Sequence, residues 1–124
     1  MIGTSRSAGK LERAEKLGLD VSIDASRGDW AEQLESVIGK DRVHALMDLV
    51  GGIYLEGNVR VLALRGRMVV VGLTAGATAQ LNMGVLLRKR LTIVGTVLRA
   101  RPLEERISLA QTFSDWEMRS TSSE

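Results

Sequence analysis

Residues Thr4-Ser5-Arg6-Ser7, with Lys10 three positions further on, gather three hydroxyls, a guanidinium and an ammonium in one short stretch. Phosphate oxygens carry charge and accept hydrogen bonds, so this set complements both demands. A nucleotide with a bare ribose 2′-hydroxyl is usually met by a carboxylate at such a position. No acid stands here, and the residues suit a 2′-phosphate instead. Read without a ligand, the same stretch is a polar loop with a serine N-cap and two solvated cations. Short motifs leave both readings open.

Two further loops are rich in groups that let a backbone approach a ligand closely. Asp48-Leu49-Val50 runs into Gly51-Gly52, and Gly72-Leu73-Thr74-Ala75-Gly76 repeats the theme. Glycine pairs of this kind also simply shape turns. Thr96, near the end of a later apolar run, could offer its backbone to an amide. The three loops gain meaning only if they share one edge of one sheet.

Other chemistries find few candidates. The chain has no cysteine and a single histidine, which removes disulfides and makes a zinc site improbable. His44 reads as a surface residue. Glu12 with Glu15, and Glu32 with Glu35, lie at helical spacing beside cations and read as solvated faces. The run Arg88-Lys89-Arg90, with Arg99 and Arg101, reads as solvated cations in a helix–strand connection rather than a nucleic-acid patch. Aromatic residues make up only 3% of the chain, so a stacking platform for single strands is not expected. Trp30 reads as a helix anchor and Trp116 as a tail residue.

The elements that must position these groups alternate. Residues 1–4 read as the end of a strand. A helix follows over 10–17, with Leu11, Ala14 and Leu17 on one face and Gly18 at the stop. Val21–Asp24 is a short strand. Asp29 and Glu32 form a capping box for a helix that Gly39 ends. A third strand reaches Asp48, and residues 54–62 form the next helix. The apolar run 67–71 is bounded by glycines, as expected of a strand buried on both faces. A fifth strand covers 91–98, and a last helix 103–113 begins after Pro102. Strand–helix alternation at this spacing predicts an α/β fold with a parallel sheet covered by helices.

Bulk properties agree with one domain. The 124 residues are 44% hydrophobic and 26% charged, with a formal charge of +2, the balance of an ordinary globular chain. Thirteen glycines against one proline suggest many tight turns and little rigid linker. No apolar run reaches membrane-spanning length and no signal-peptide pattern opens the chain, so cytoplasm is the expected compartment, with no nucleic-acid or membrane partner.

The segment from Asp48-Leu-Val-Gly-Gly-Ile-Tyr-Leu-Glu-Gly-Asn58 through Leu62-Ala-Leu-Arg-Gly-Arg67 to Val70-Val-Gly-Leu73 resembles the NAD(P)H:quinone oxidoreductases. These are the zeta-crystallin-like, zinc-free branch of the medium-chain dehydrogenase/reductase superfamily. Leu86-Leu-Arg-Lys-Arg-Leu91 and Thr96-Val-Leu-Arg-Ala-Arg101 extend the match, which covers about residues 1–113. The resemblance implies a Rossmann-type domain of strand order 3-2-1-4-5-6 that uses NADPH to reduce quinones or other activated double bonds. It assigns the 2′-phosphate contact to Lys10, with Thr4 and Ser5 beside it, and places Gly72, Leu73, Thr96 and Leu98 near the nicotinamide. Gly51 joins this cofactor set from the loop argument. Arg6 joins on charge alone, and no catalytic residue is assigned.

Departures from the family shape further expectations. The family's first strand and glycine-rich phosphate loop would precede Met1, so a partial Rossmann-type sheet is expected. The catalytic domain is likewise outside the match. Ala25 stands where relatives often carry a tyrosine against the adenosine phosphate. Beyond residue 113 the match stops, and 114–124 is expected to be a divergent, disordered tail. Without the central strand, a gap of roughly 9–10 Å, two inter-strand spacings, is expected between the strands at residues 1–4 and 45–48. Marginal stability, aggregation and weak cofactor affinity follow as expectations. Two alternatives accompany this reading: a non-catalytic remnant that homodimerises through strand 91–98, and, at the level of fold only, a nucleotide-dependent methyltransferase.

Overall fold

The structure, a computed structural model, describes residues 1–97 and 99–122. Strand β1 (Ile2–Ser5) leads into helix α1 (Ala8–Lys16), and β2 (Val21–Asp24) into a 3₁₀ turn (Ala25–Arg27) and helix α2 (Trp30–Ile38). Strand β3 (Val43–Asp48) is followed by α3 (Tyr54–Val61) and β4 (Leu62–Val70). Helix α4 (Met83–Lys89), strand β5 (Thr92–Gly95) and helix α5 (Leu103–Ser122) complete the order. No helix of the described residues is long and apolar enough to cross a membrane.

Local chemistry accounts for the helix ends. Ser7 caps α1, its hydroxyl accepting from the Lys10 N–H at 3.3 Å. The Asp29 carboxylate accepts from Ala31 and Glu32 N–H at 3.0 and 3.2 Å, the forward half of the expected capping box. Gly18, after α1, takes a φ of 105°, which a side chain would oppose.

The strands form two separate groups. β1 and β2 pair in parallel, with Ile2 opposite Val21 and Ser5 opposite Asp24. β3, β4 and β5 form a second sheet in that order, with β3 and β4 parallel. Among the described residues no strand lies between β1 and β3. The architecture is α/β, with parallel strands and flanking helices, as the alternation predicted.

A buried cluster of Ile23 from β2, Ala31 and Leu34 from α2, and Val61 from α3 joins the two sheets. Val43 and Leu46 of β3 pack against it. Arg60 of α3 reinforces the connection from outside. Its guanidinium donates to both Glu35 oxygens at 2.8 and 2.9 Å and to Asp29 at 3.1 Å, linking α3 to α2.

Three details differ from the sequence reading. First, β4 begins at Leu62 rather than at residue 67, with a register shift between Val43 and Ala45 of β3 that accommodates Ala63–Gly66. Arg65 has a φ of 62° inside that irregular stretch, so periodicity alone could not have found it.

Second, α4 went unassigned, although Asn82 is a legible N-cap and accepts from Val85 N–H at 3.2 Å. Lys89 at its end is not a solvated cation. Its ammonium donates to the carbonyls of Val59, Arg60 and Leu62 at 3.1, 2.8 and 2.8 Å and pairs with Asp41 at 2.6 Å. It satisfies the carbonyls that the end of α3 leaves open. Lys89→Met should therefore destabilise the fold by about 2–3 kcal/mol. Urea denaturation checks this, and an unchanged midpoint would refute it.

Third, residues 114–122 are not a disordered tail, because α5 continues to Ser122. The expected boundary at 113 is where the family resemblance ends, and no glycine or proline follows Phe113 to stop the helix. The rings of Phe113 and Trp116 meet at 5.9 Å across that boundary. This helix belongs to a second compact unit, Gly95–Glu124, distinct from the first, Met1–Val94.

Candidate functional site

The first unit contains a cleft of about 1010 Å³ at the carboxyl ends of its strands. Thr4, Ser5, Arg6 and Lys10 line it after β1, and Ala25, Ser26 and Gly28 after β2. Val50 and Tyr54 contribute after β3, and Thr74 and Ala75 after β4. Four strand ends therefore open onto one space, the placement expected of ligands in parallel sheets.

Charge is unevenly distributed around this cleft. Neither Arg6 nor Lys10 has an ion-pair partner among the described residues. Glu56 also lines the cleft, while Asp24 and Asp29 are engaged in bonds of their own. Asp24, opposite Ser5, accepts from the Ser26 hydroxyl and N–H and lies 3.5 Å from Arg27. The Ser26 bonds hold its carboxyl below the ordinary range, so it stays ionised at neutral pH. Asp29 caps α2 and meets Arg60. The first turn of α1 holds no acid, so its N–H groups add to the positive character of the β1 end.

The loops after β3 and β4 pack directly against each other. A Cβ on Gly72 would come within 2.6 Å of the Leu49 carbonyl, and one on Gly52 within 2.7 Å of the Ala75 carbonyl. Gly51 forms a parallel bridge with Gly76. These glycines let the chain approach itself, which is the turn-shaping alternative in a stronger form. Beneath them lies Asp48, 4% exposed. One of its oxygens accepts from Val50 and Gly51 N–H at 2.8 and 3.1 Å, and the other from the Asn58 side chain at 2.9 Å.

The candidate residues thus divide. Thr4, Ser5, Arg6 and Lys10 come together in the cleft. Gly51, Gly72 and Leu73 lie in the adjoining loop pair, where Leu73 packs on Gly51. Thr96 follows β5 instead of ending it and belongs to the second unit, where its hydroxyl accepts from Arg101 at 2.7 and 3.2 Å. Leu98 lies outside the described residues. Sequence reasoning missed Arg60, whose partners are 25 and 31 positions away. It also missed the pairing of Trp30 with Tyr54 on the cleft wall.

Parallel strand ends converging on one polar cleft define a Rossmann-type cofactor-binding domain. The chain belongs to the zinc-binding dehydrogenase family, whose sequence profile matches residues 1–114. It is 35% identical over 96 residues to quinone oxidoreductase-like protein 2 of Bos taurus, covering 77% of this chain and 27% of that protein. Quinone oxidoreductase 1 of Escherichia coli is 34% identical over 89 residues, with coverages of 72% and 27%. The solved structure of E. coli quinone oxidoreductase complexed with NADPH superposes with a TM-score of 0.74 at 30% identity, covering 90% of this chain and 35% of that one. The chain therefore spans about a quarter of the length of these curated relatives. The zinc of the family name finds no donor set here: no group of three His, Cys, Asp or Glu among the described residues could hold a metal.

Proposed function

We propose that the cleft binds the adenosine end of NADPH, with the 2′-phosphate on Arg6 and Lys10 and the hydroxyls of Thr4 and Ser5 beside it. The observation that carries this reading is that Arg6 and Lys10 line the cleft and have no ion-pair partner among the described residues. The E. coli relative solved with NADPH supports the same choice of cofactor. Gly51, Gly72 and Leu73, in the loop pair beside the cleft, are proposed for the nicotinamide end.

On this reading the chain is the cofactor-binding part of an NADPH-dependent reductase acting on quinones or activated double bonds. When bound, NADPH would supply a hydride, and the quinone would gain that hydride and a proton to become the hydroquinone. This chain's contribution is to bind and orient the cofactor, without zinc.

Calorimetry with adenosine 2′,5′-bisphosphate and adenosine 5′-monophosphate tests the assignment. The bisphosphate should bind at least about tenfold more tightly, one charge-assisted contact's worth. Equal affinities would overturn the phosphate assignment. NADPH itself should bind no more tightly than the micromolar range, because the cleft's unpaired cations address only the adenosine end.

A second reading is a homodimer that uses residues 91–98 and does no chemistry itself. It is favoured by the position of β5 at the outer edge of its sheet, with Val94 exposed. Sedimentation velocity decides it, and a monomer at all concentrations would remove it.

A further inference from the structure

We propose that a second cleft, between the α2–β3 turn and α4, docks an acidic peptide segment with apolar side chains, its carboxylates met by a cluster of four exposed cations. This surface is independent of the nucleotide reading, because none of the four lines the strand-end cleft.

Two basic stretches far apart in the chain, Lys40-Asp41-Arg42 and Arg88-Lys89-Arg90, are brought together by their central residues. Asp41 and Lys89 pair at 2.6 Å, and the Lys89 ammonium also donates to the carbonyls at the end of α3. The pair neutralises itself and leaves the flanking residues around it. Lys40, Arg42, Arg88 and Arg90 are all exposed, and none has an ion-pair partner among the described residues. Each stretch lies at or just after a helix C-terminus, which carries about half a negative charge. Of the acids lining the cleft, Glu35 is paired with Arg60 and Asp41 with Lys89, which leaves Glu56. The two helix ends and Glu56 together offset about half of the four positive charges, so the balance stays positive.

The cations border a cleft of about 1020 Å³, and Lys40 and Arg88 line it themselves. Val59, Leu64, Leu81 and Val85 supply its apolar lining, with Leu64 57% exposed. Cations beside an apolar recess complement a segment in which carboxylates flank apolar side chains. No aromatic side chain of the described residues lines this cleft, so it offers nucleic-acid bases no stacking platform. A bilayer surface would meet the cations without reaching into the recess.

The test titrates the full chain with a fluorescein-labelled octapeptide of alternating glutamate and leucine, read by fluorescence anisotropy. Replacing the leucines of the peptide with serine should weaken binding by about tenfold or more, the scale of one buried leucine. Arg88→Gln with Arg90→Asn should weaken the glutamate–leucine peptide by about five- to tenfold, the range of two screened ion pairs. Asparagine suits position 90 because the backbone there is left-handed, with a φ of 50°. Lys16→Ala with Arg106→Ala removes the same charge elsewhere and should change the affinity by less than about twofold.

A labelled oligothymidylate of the same charge and phosphatidylserine vesicles should each bind at least about tenfold more weakly than the glutamate–leucine peptide. Absence of peptide binding, equal affinity for the serine peptide, or equal affinity for either other polyanion overturns the peptide assignment. A loss in the Lys16 and Arg106 variant as large as that at 88 and 90 overturns it too. The comparison of probes uses the unaltered chain, so it decides the matter even where a variant fails to fold.

Discussion

Replacing Arg6 and Lys10 together with glutamate should abolish discrimination between adenosine 2′,5′-bisphosphate and adenosine 5′-monophosphate. The argument is electrostatic. Both cations line the cleft and neither forms an ion pair among the described residues, so a phosphate dianion there would meet two complementary charges. Reversal turns each attraction into a repulsion at the same place. Because both side chains are exposed, water and salt screen them, and each single change to alanine should weaken the bisphosphate by only about tenfold or less. The double reversal should exceed about a hundredfold, which corresponds to roughly 2.7 kcal/mol. Adenosine 5′-monophosphate should be affected far less. Calorimetry at two ionic strengths checks both parts, and a uniform loss across the two ligands would point to unfolding instead of phosphate recognition.

Asp48→Ala should unfold the first unit or come close to it. The carboxylate is buried and accepts three hydrogen bonds, two from the backbone of the Gly51 loop and one from Asn58. Removing it strands the amide of Asn58, itself only 2% exposed, in a site with no replacement. Hydrogen bonds to a charged group are worth about 1.5–3 kcal/mol each and are not additive, so a loss of about 4 kcal/mol is expected. That is a large share of a small domain's total stability. Asp48→Asn retains the shape and one acceptor oxygen and should lose about half as much. Denaturant titration of both variants checks the order, and an alanine variant within about 1 kcal/mol of the parent would contradict this account.

Much of the fold was legible because its signals are local. Ser7, Asp29 and the glycines after α1 and α2 mark helix ends through atoms within a few residues. The cluster after β1 was legible for the same reason, since Thr4 to Lys10 is one continuous stretch. What escaped depends on distant partners. Lys89 looks like a surface cation until the end of α3, 27–30 positions earlier, is brought beneath it. The glycines at 51, 52 and 72 read as possible ligand contacts, but their closest neighbours are the opposing loop's own carbonyls. The extent of α5 was not legible because the family resemblance ends at 113, whereas backbone propensity carries the helix on to Ser122.

The separation of β1–β2 from β3–β4–β5 leaves the two sides of the cleft without a shared backbone ladder. Among the described residues, side-chain packing around Ile23, Leu34 and Val61 and the Arg60 ion pairs bridge the two groups. A nucleotide touching both sides would act as a clasp, adding to the protein the cross-link that its hydrogen-bonded framework does not provide. By mass action, about a hundredfold excess of free ligand over Kd would add roughly 2.7 kcal/mol to the stability of the folded chain. On that proposal, folding and cofactor loading in this chain would be two readings of one equilibrium.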